Sequence, residues 1–572
     1  LHFEGFMLKR HTGLRFILLA VSMFAGIYSW SQQPQFDFII SNGRIVDGTG
    51  APWYVGDIAI SDDRIAAIGD LNEATAKQRL DAARLVVSPG FIDVQGQSEF
   101  NLLIDKRAAS KITQGVTTEI TGEGTSIAPL NDRLLVDLED SAKKYGVALD
   151  WRSLDEYLRR LDRARPAINL GTFVGAGGIR TYVMGKDNRP PTPAELAQMK
   201  QLVAEAMQQG AFGLSTALQY VPDSFASTDE VVELAKVARE YGGVYFTHQR
   251  SEADQIFSSL EEVFAIAERA HISTTIWHLK TAYRENFGAM PEVLKRIEAA
   301  RGRGLDVAAS VYPYDQGSNG LAACFPTWVS EGGTNKMIER LKDPSQRASA
   351  KAEMDNPSTT WQNQWLGSGG ARGVTLIQVI NPELRKYEGL NFEEIGHQTG
   401  KDPKDAAMDI AIADRGISQV VIAIMRDDDV RDAVANPLVT YGSDSPAQAE
   451  DGPLSTTKAH PRAFGTFPRV LGEYVRAQHT MRLEEAVRKM TSQAASRVGI
   501  SDRGILRPGM FADIVIFDPA TVKDVATYND PLRYSVGISD VFVNGKAVVL
   551  NGKITSERPG RALRATRVRP RP

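Results

Sequence analysis

Two histidines set the chemical question. His248 in "YFTHQRSE" and His278 in "TIWHLK" each close a short apolar run and precede a polar stretch. Histidines at the ends of two successive parallel strands can share one ion, because barrel strands aim their C-terminal residues at a common centre. A catalytic zinc takes three protein ligands and keeps one position for water. Glu123 in "ITGEGT" offers the third ligand, since it too ends an apolar run and its flanking glycines let the backbone turn sharply. Asp444 in "TYGSDSP" ends another such run. Each has a plainer reading alone: a hydrogen-bonded structural histidine, a solvated turn glutamate, an aspartate capping a helix. Their joint occurrence in one strand-and-helix register points to metal-assisted hydrolysis, with Glu123, His248 and His278 as ligands of one zinc ion.

The elements that must position these residues repeat through the middle of the chain. Apolar runs such as "GVTTEITGEG", "INLGTFVGAGG", "AFGLSTALQY", "GGVYFTHQR", "STTIWHLK", "LDVAASVYPYD", "GVTLIQVI" and "PLVTYGSD" alternate with amphipathic stretches such as "PAELAQMKQLVAEAMQQG". Strand then helix, repeated, predicts an α/β fold, a (β/α)8 TIM-like barrel over 89–497 whose site sits at the strand C-termini. Glu123, Tyr220, His248, His278, Tyr312 and Asp444 all fall there. The stretch 324–370 breaks the rhythm as an insertion placed to cap the barrel mouth. On either side, 32–88 and 498–560 carry short alternating segments with Asn-Gly and Asp-Gly turns, which predict an antiparallel meander. Together they are expected to pair into one small β-sandwich domain.

With 66 basic and 70 acidic residues in 572, no electrostatic footprint for nucleic acid stands out, and a small molecule or short peptide is the expected partner. Residues 1–31 read as a secretory leader starting at Met7: Lys9, Arg10 and Arg15 precede an apolar run to Trp30, and Ser29 and Ser31 place cleavage near Gln32. The expectation is an exported protein, periplasmic or extracellular, with a retained N-terminal anchor as the other reading. The lone Cys324 excludes an internal disulfide and reads as a buried or loop thiol. His271, His397 and His479 read as surface residues, His460 as a neighbour able to position Arg462, and the arginine-bearing tail 561–572 as a frayed terminus.

The segments "IISNGRIVDGTG", "SPGFIDV", "FGLSTALQYVP", "GGVYFTHQRSE", "HLKTA", "VYPYDQGS", "YGSDSP", "HPRAFGTFPRVLGEYVR" and "ASRVGISDRGILRPGMFADIVIFDP" occur in order over nearly the whole chain after the leader. They resemble the amidohydrolase superfamily, in its D-aminoacylase (N-acyl-D-amino-acid deacylase) branch. The resemblance implies hydrolysis of a linear amide, with Asp444 as general base toward water at the metal. Glu123 stands where the branch often has a cysteine ligand. Lys280, Tyr312, Ser318 and Arg462 match positions that hold the substrate's free carboxylate, and Tyr220 joins this substrate-binding set. Gln95 and Gln97 match the family's His-X-His, and a neutral amide is a poor zinc ligand, so the more exposed of two metal sites is expected to be lost. The same machinery also suits a dipeptidase-like or cyclic-amide hydrolase, and the glutamines would fit a binding protein that has lost catalysis.

Overall fold

The barrel is built from strands only three to six residues long, each almost wholly buried. The computed structural model describes residues 35–566. In chain order the barrel strands are Phe91–Asp93 (β1), Val116–Thr121 (β2), Asn169–Thr172 with Val174–Gly175 (β3), Gly213–Ala217 (β4), Val244–His248 (β5), Thr274–Ile276 (β6), Val307–Val311 (β7) and Val439–Tyr441 (β8). Every neighbouring pair from β1 to β8 runs parallel. The ring closes through a parallel bridge between Gly96 and Ser445, just past the ends of β1 and β8. Returning helices begin where the sequence supplies caps: Thr192 with Glu195 opens Pro193–Gln209, and Ser227 opens Thr228–Glu240.

Two expectations change here. "GVTLIQVI" is not a barrel strand. Its residues Val374–Gln378 pair antiparallel with Gln419–Ala423, which also pairs antiparallel with Gln316–Gly320 in a separate three-stranded sheet. An apolar run of this length suits either setting, whereas the true first barrel strand, "FID", is too short to show any period. The unit inserted between β7 and β8 therefore reaches from 316 to 423, wider than 324–370. It has its own core, including Phe325, Leu341, Trp365, Leu376, Phe392 and Ile422, and it buries Cys324.

In the small domain, Phe36–Ile45, Tyr54–Ser61, Arg64–Gly69, Ala76–Asp81 and Val86–Pro89 join Ile514–Phe517, Ile538–Val543, Lys546–Leu550 and Lys553–Ile554 in one nine-stranded sheet. The chain ends meet where Val86–Pro89 pairs antiparallel with Ile514–Phe517. The sheet is not a pure meander: Phe36–Ile45 is antiparallel to Tyr54–Ser61 on one edge but parallel to Ala76–Asp81 and Val86–Pro89 on the other. These strands follow crossovers rather than hairpins, which turn signals alone do not reveal. An isolated bridge from Arg64 to Phe511 draws the sheet around Ile45, Ile58, Ile60, Ile514 and Phe542.

The tail also differs from a frayed end as far as it is described. Leu170 in β3 donates from its N–H to the Arg561 carbonyl at 3.0 Å and accepts from the Leu563 N–H at 2.7 Å. Arg561 pairs with Asp63 and Arg564 with Asp155, each at 2.8 Å. The leader lies outside the described residues. Among those residues, no helix is long and apolar enough to cross a membrane.

Closure of the barrel rests on one buried ion pair. Lys111 Nζ donates to Asp93 Oδ2 at 2.8 Å, to Ser443 Oγ at 2.7 Å and to the Ser445 carbonyl at 2.8 Å. Burial opposes its charge, but Asp93 and Glu119 hold its pKa above the ordinary lysine value. Removing one partner of a buried pair leaves the other charge uncompensated, so Lys111→Met is expected to destabilise the protein by ~3–5 kcal/mol, read from urea unfolding.

Candidate active site

The C-terminal ends of β2, β5 and β6 deliver three ligand-type side chains to one point. Glu123 Oε1 lies 3.2 Å from His248 Nδ1 and 3.1 Å from His278 Nε2. One donor atom from each of the three falls within 4.8 Å of the others. Local backbone explains how they get there. Gly122 and Gly124 take φ of 96° and 62°, and a Cβ at either would strike Thr172 or Ala217. His278 and Asp444 also adopt positive φ, 36° and 49°, a strained conformation for residues with a Cβ. It is held by the His278 N–H donating to Ser310 Oγ at 3.1 Å and the Asp444 N–H donating to the Gln95 carbonyl at 2.8 Å. No helix starts at Asp444, so it caps none.

The two glutamines turn inward. Gln95 Nε2 donates to Glu123 Oε2 at 2.8 Å, and Gln97 Nε2 donates to Asp444 Oδ1 at 2.9 Å. Gln95 is buried and Gln97 exposed. Burial works against the Glu123 charge, but His278 and His248 outweigh it and hold the carboxyl well below its usual range. Burial pushes the His248 imidazole down. Burial and Lys280 also press on His278, but Glu252 and Glu123 raise it to about 9. Asp444 is pushed up by burial, against the pull of Arg462.

The site floors a cavity of 390 Å³ whose lining includes Glu123, His248, His278, Asp444, Gln97, Tyr220, Lys280, Tyr312, Ser318 and Arg462. The structure thus brings the residues singled out from sequence to one place, with Gln95 directly behind Glu123. Ser318 comes from the inserted sheet, and its carbonyl accepts from Arg462 Nη2 at 3.2 Å. The Arg462 guanidinium lies 4.5 Å above the Tyr312 ring, and its Nη1 is 2.8 Å from Asp444 Oδ2. His460 fixes this arginine: its Nδ1 accepts the Arg462 N–H at 3.0 Å while Nε2 donates to the Gln316 carbonyl at 3.0 Å. Tyr220 packs edge-on to His248 with ring centres 4.8 Å apart. His271, His397 and His479 are exposed.

Sequence reading missed Glu252. This buried carboxylate lies 2.9 Å from His278 Nδ1, 2.6 Å from Lys280 Nζ and 3.7 Å from His248 Nε2. Both histidines are thereby oriented from behind, and the Lys280 charge is neutralised. The signal was present as the final residue of "HQRSE", a carboxylate four positions after a ligand-type histidine. Gln219, which contacts His248 Nε2 at 2.7 Å, was missed as well.

A model of the amidohydrolase family matches residues 429–549. The chain is 35% identical over 542 residues to a D-aminoacylase of Alcaligenes xylosoxydans xylosoxydans, covering 94% of this chain and 99% of that protein. The chain belongs to the amidohydrolase superfamily, in its D-aminoacylase branch. This amidohydrolase is a hydrolase of carbon–nitrogen bonds other than peptide bonds. It is also 34% identical to an N-acyl-D-aspartate deacylase of the same organism, over 92% of this chain and 95% of that one. Among solved structures it resembles an N-acyl-D-glutamate deacylase from Bordetella bronchiseptica, complexed with zinc and a phosphonate mimic of the tetrahedral intermediate (TM-score 0.77, 32% identity, 93% of this chain and all of that one). It is similar too to a D-aminoacylase whose binuclear centre is described by one-metal activation and second-metal attenuation (TM-score 0.76, 34% identity, 92% of this chain and all of that one).

Two imidazoles and a carboxylate around one point are a donor set that suits catalytic zinc, and the short separations of this amidohydrolase's three donors fit a single ion. With a metal held there, Glu252 would stand as the carboxylate behind a ligating histidine, fixing its ring and tautomer. Glu252→Gln is expected to weaken metal affinity roughly 10- to 100-fold, measured by chelator competition.

Proposed function

We propose that this amidohydrolase removes the acyl group from N-acyl-D-amino acids using one zinc ion held by Glu123, His248 and His278. The observation that carries this reading is the relation of Arg462 to Asp444. The arginine is buried, its Nη1 lies 2.8 Å from the Asp444 carboxylate, and its Nε and Nη1 make no aligned hydrogen bond with a described residue. A guanidinium lining the cavity is a carboxylate receptor. In an N-acyl amino acid only the α-carbon and nitrogen separate the carboxylate from the amide carbonyl. A carboxylate on Arg462 therefore sets the scissile amide beside Asp444 and the Glu123–His248–His278 cluster.

Zinc bound there would lower the pKa of water and polarise the carbonyl. Asp444 takes the proton of the attacking water and returns it to the departing nitrogen. Gln97 holds one Asp444 oxygen at 2.9 Å, leaving the other toward Arg462 and the substrate. Arg462 and the carboxylate it binds fix the position of attack, with Tyr312 stacked beneath the guanidinium. Lys280 stays bound to Glu252, which holds its ammonium at the pocket wall.

The amino-acid side chain is read by a neutral wall. Among the residues lining the cavity, Lys280 and Arg462 are the lysines and arginines; Lys280 is held by Glu252 and Arg462 is assigned to the α-carboxylate, which leaves no further cation for an acidic side chain. Ile377, Ile417, Ile422 and Ile424 line it as well. This supports neutral side chains over the acidic ones named for two of the relatives. The leader-like run at residues 7–31 supports export from the cytoplasm, which fractionation of the producing cells tests.

The deciding experiment pairs metal analysis with hydrolysis of N-acetyl-D-leucine, N-acetyl-L-leucine and N-acetyl-D-glutamate. The expected result is one zinc per chain and a kcat/KM for D-leucine at least ~10-fold above either of the others, with Glu123→Ala and His278→Ala lacking both metal and activity. Full zinc in His278→Ala would sink the ligand assignment. A wild-type protein without metal and without hydrolysis after zinc addition would favour a binding protein. The double variant Gln95→His, Gln97→His is expected to raise metal content from one toward two ions per chain, while the wild type needs no second ion for turnover.

A further inference from the structure

A second cavity, of 290 Å³, adjoins the first. Glu123 and Gln97 line both cavities, whereas Arg462, Ser318 and Asp444 line the first and not the second. The carboxylate-binding groups therefore lie on one side of the Glu123–Gln97 pair and this second space on the other. Its walls are mainly apolar: Phe100, Ile127, Leu130, Leu134 and Leu138. Leu134 and Leu138 project from one face of the helix Asp132–Tyr145, being four residues apart. The loop that carries Ile127 and Leu130 is pinned by hydrogen bonds, from Trp151 Nε1 to the Ile127 carbonyl at 3.0 Å and from the Leu130 N–H to the Arg152 carbonyl at 2.7 Å.

We infer that this second cavity is the acyl subsite, and that it takes a medium-length aliphatic acyl chain rather than only acetyl. The inference rests on the deacylase reading above and adds the chemical class of the group removed. With the carboxylate on Arg462 and the amide at Glu123, the acyl carbon chain has to leave on the side away from the arginine, where this space lies. Its volume is roughly ten times the ~30 Å³ share of one water molecule in the liquid, well beyond the need of a methyl group. Glu99 also lines it, and burial pushes that carboxyl up to about 8. Asp137, which is exposed, lines it as well.

The test compares N-acetyl-, N-butyryl-, N-hexanoyl- and N-octanoyl-D-leucine with the zinc-loaded full chain and with Leu138→Asp, a half-buried position on the helix surface. Each methylene transferred from water to an apolar wall favours binding about threefold to fourfold, so even partial burial predicts a kcat/KM at least ~10-fold higher for hexanoyl than for acetyl. Leu138→Asp is expected to collapse that hexanoyl-to-acetyl ratio while leaving the D-leucine-to-D-alanine preference of the acetyl series in place. A flat chain-length profile in the active wild type would overturn the subsite. So would a Leu138→Asp protein that instead changes the amino-acid preference, since the two ends of the substrate would then be reversed. Absence of hydrolysis for every chain length in the wild type would count against the deacylase reading itself.

Discussion

The geometry of the site depends on the buried pair of Lys111 and Asp93. A lysine removed from water is costly unless its donors are all used, and here three acceptors within 2.8 Å take them. Two of those acceptors belong to the loop after β8 and one to β1, so the ammonium ties the last barrel strand to the first. Asp93 extends the tie, because its Oδ1 accepts the Gln95 N–H at 3.1 Å and the Ser443 N–H at 2.9 Å. The loop bearing both glutamines and the loop bearing Asp444 are therefore registered against each other from below. Nothing in the chemistry of Asp444 would be positioned without that closure.

Above this floor, the centre is held in a conformation its residues do not choose alone. His278 and Asp444 both sit at positive φ, each at a cost of order 1–3 kcal/mol. The cost is offset by hydrogen bonds from neighbouring strands and by the carboxylates that meet the two histidines. Glu123 lies between the imidazoles in front, and Glu252 contacts both behind. The inserted unit completes the assembly from outside the barrel: its strand Gln316–Gly320 gives a carbonyl each to His460 and Arg462. Barrel and insertion thus share one arginine, which explains why a buried cation survives at their junction.

Much of this was legible where strand ends carry unusual residues. Glu123, His248, His278 and Asp444 each interrupt an apolar run, and parallel strands of similar length force such interruptions together. What was not legible depends on partners remote in sequence. The three-residue strand Phe91–Asp93 has no period to detect, and "GVTLIQVI" has one that fits an inserted sheet as well as a barrel. The parallel pairing of Phe36–Ile45 with Ala76–Asp81 comes from a crossover that turn residues do not announce. The tail 561–566 looks solvated because its arginines are charged, yet its backbone hydrogen-bonds to β3 and its charges find Asp63 and Asp155. Glu252 escaped because a lone carboxylate after a histidine has no local mark of burial.

The charges of the cavity bear on why glutamines stand at 95 and 97. Its charged lining comprises the carboxylates Glu123, Glu252 and Asp444 against Lys280 and Arg462, a formal excess of one negative charge with neutral histidines. One divalent ion would convert that to a single positive charge, which the monoanionic N-acyl amino acid of the proposed reaction would neutralise. A second divalent ion would leave the occupied site strongly positive, so histidines at 95 and 97 would need further anions to accompany them. The amides instead donate hydrogen bonds to Glu123 and Asp444, the two carboxylates nearest the reaction, without adding charge. They orient both groups, and with the single ion proposed above the electrostatic balance would be set by that ion and one substrate carboxylate.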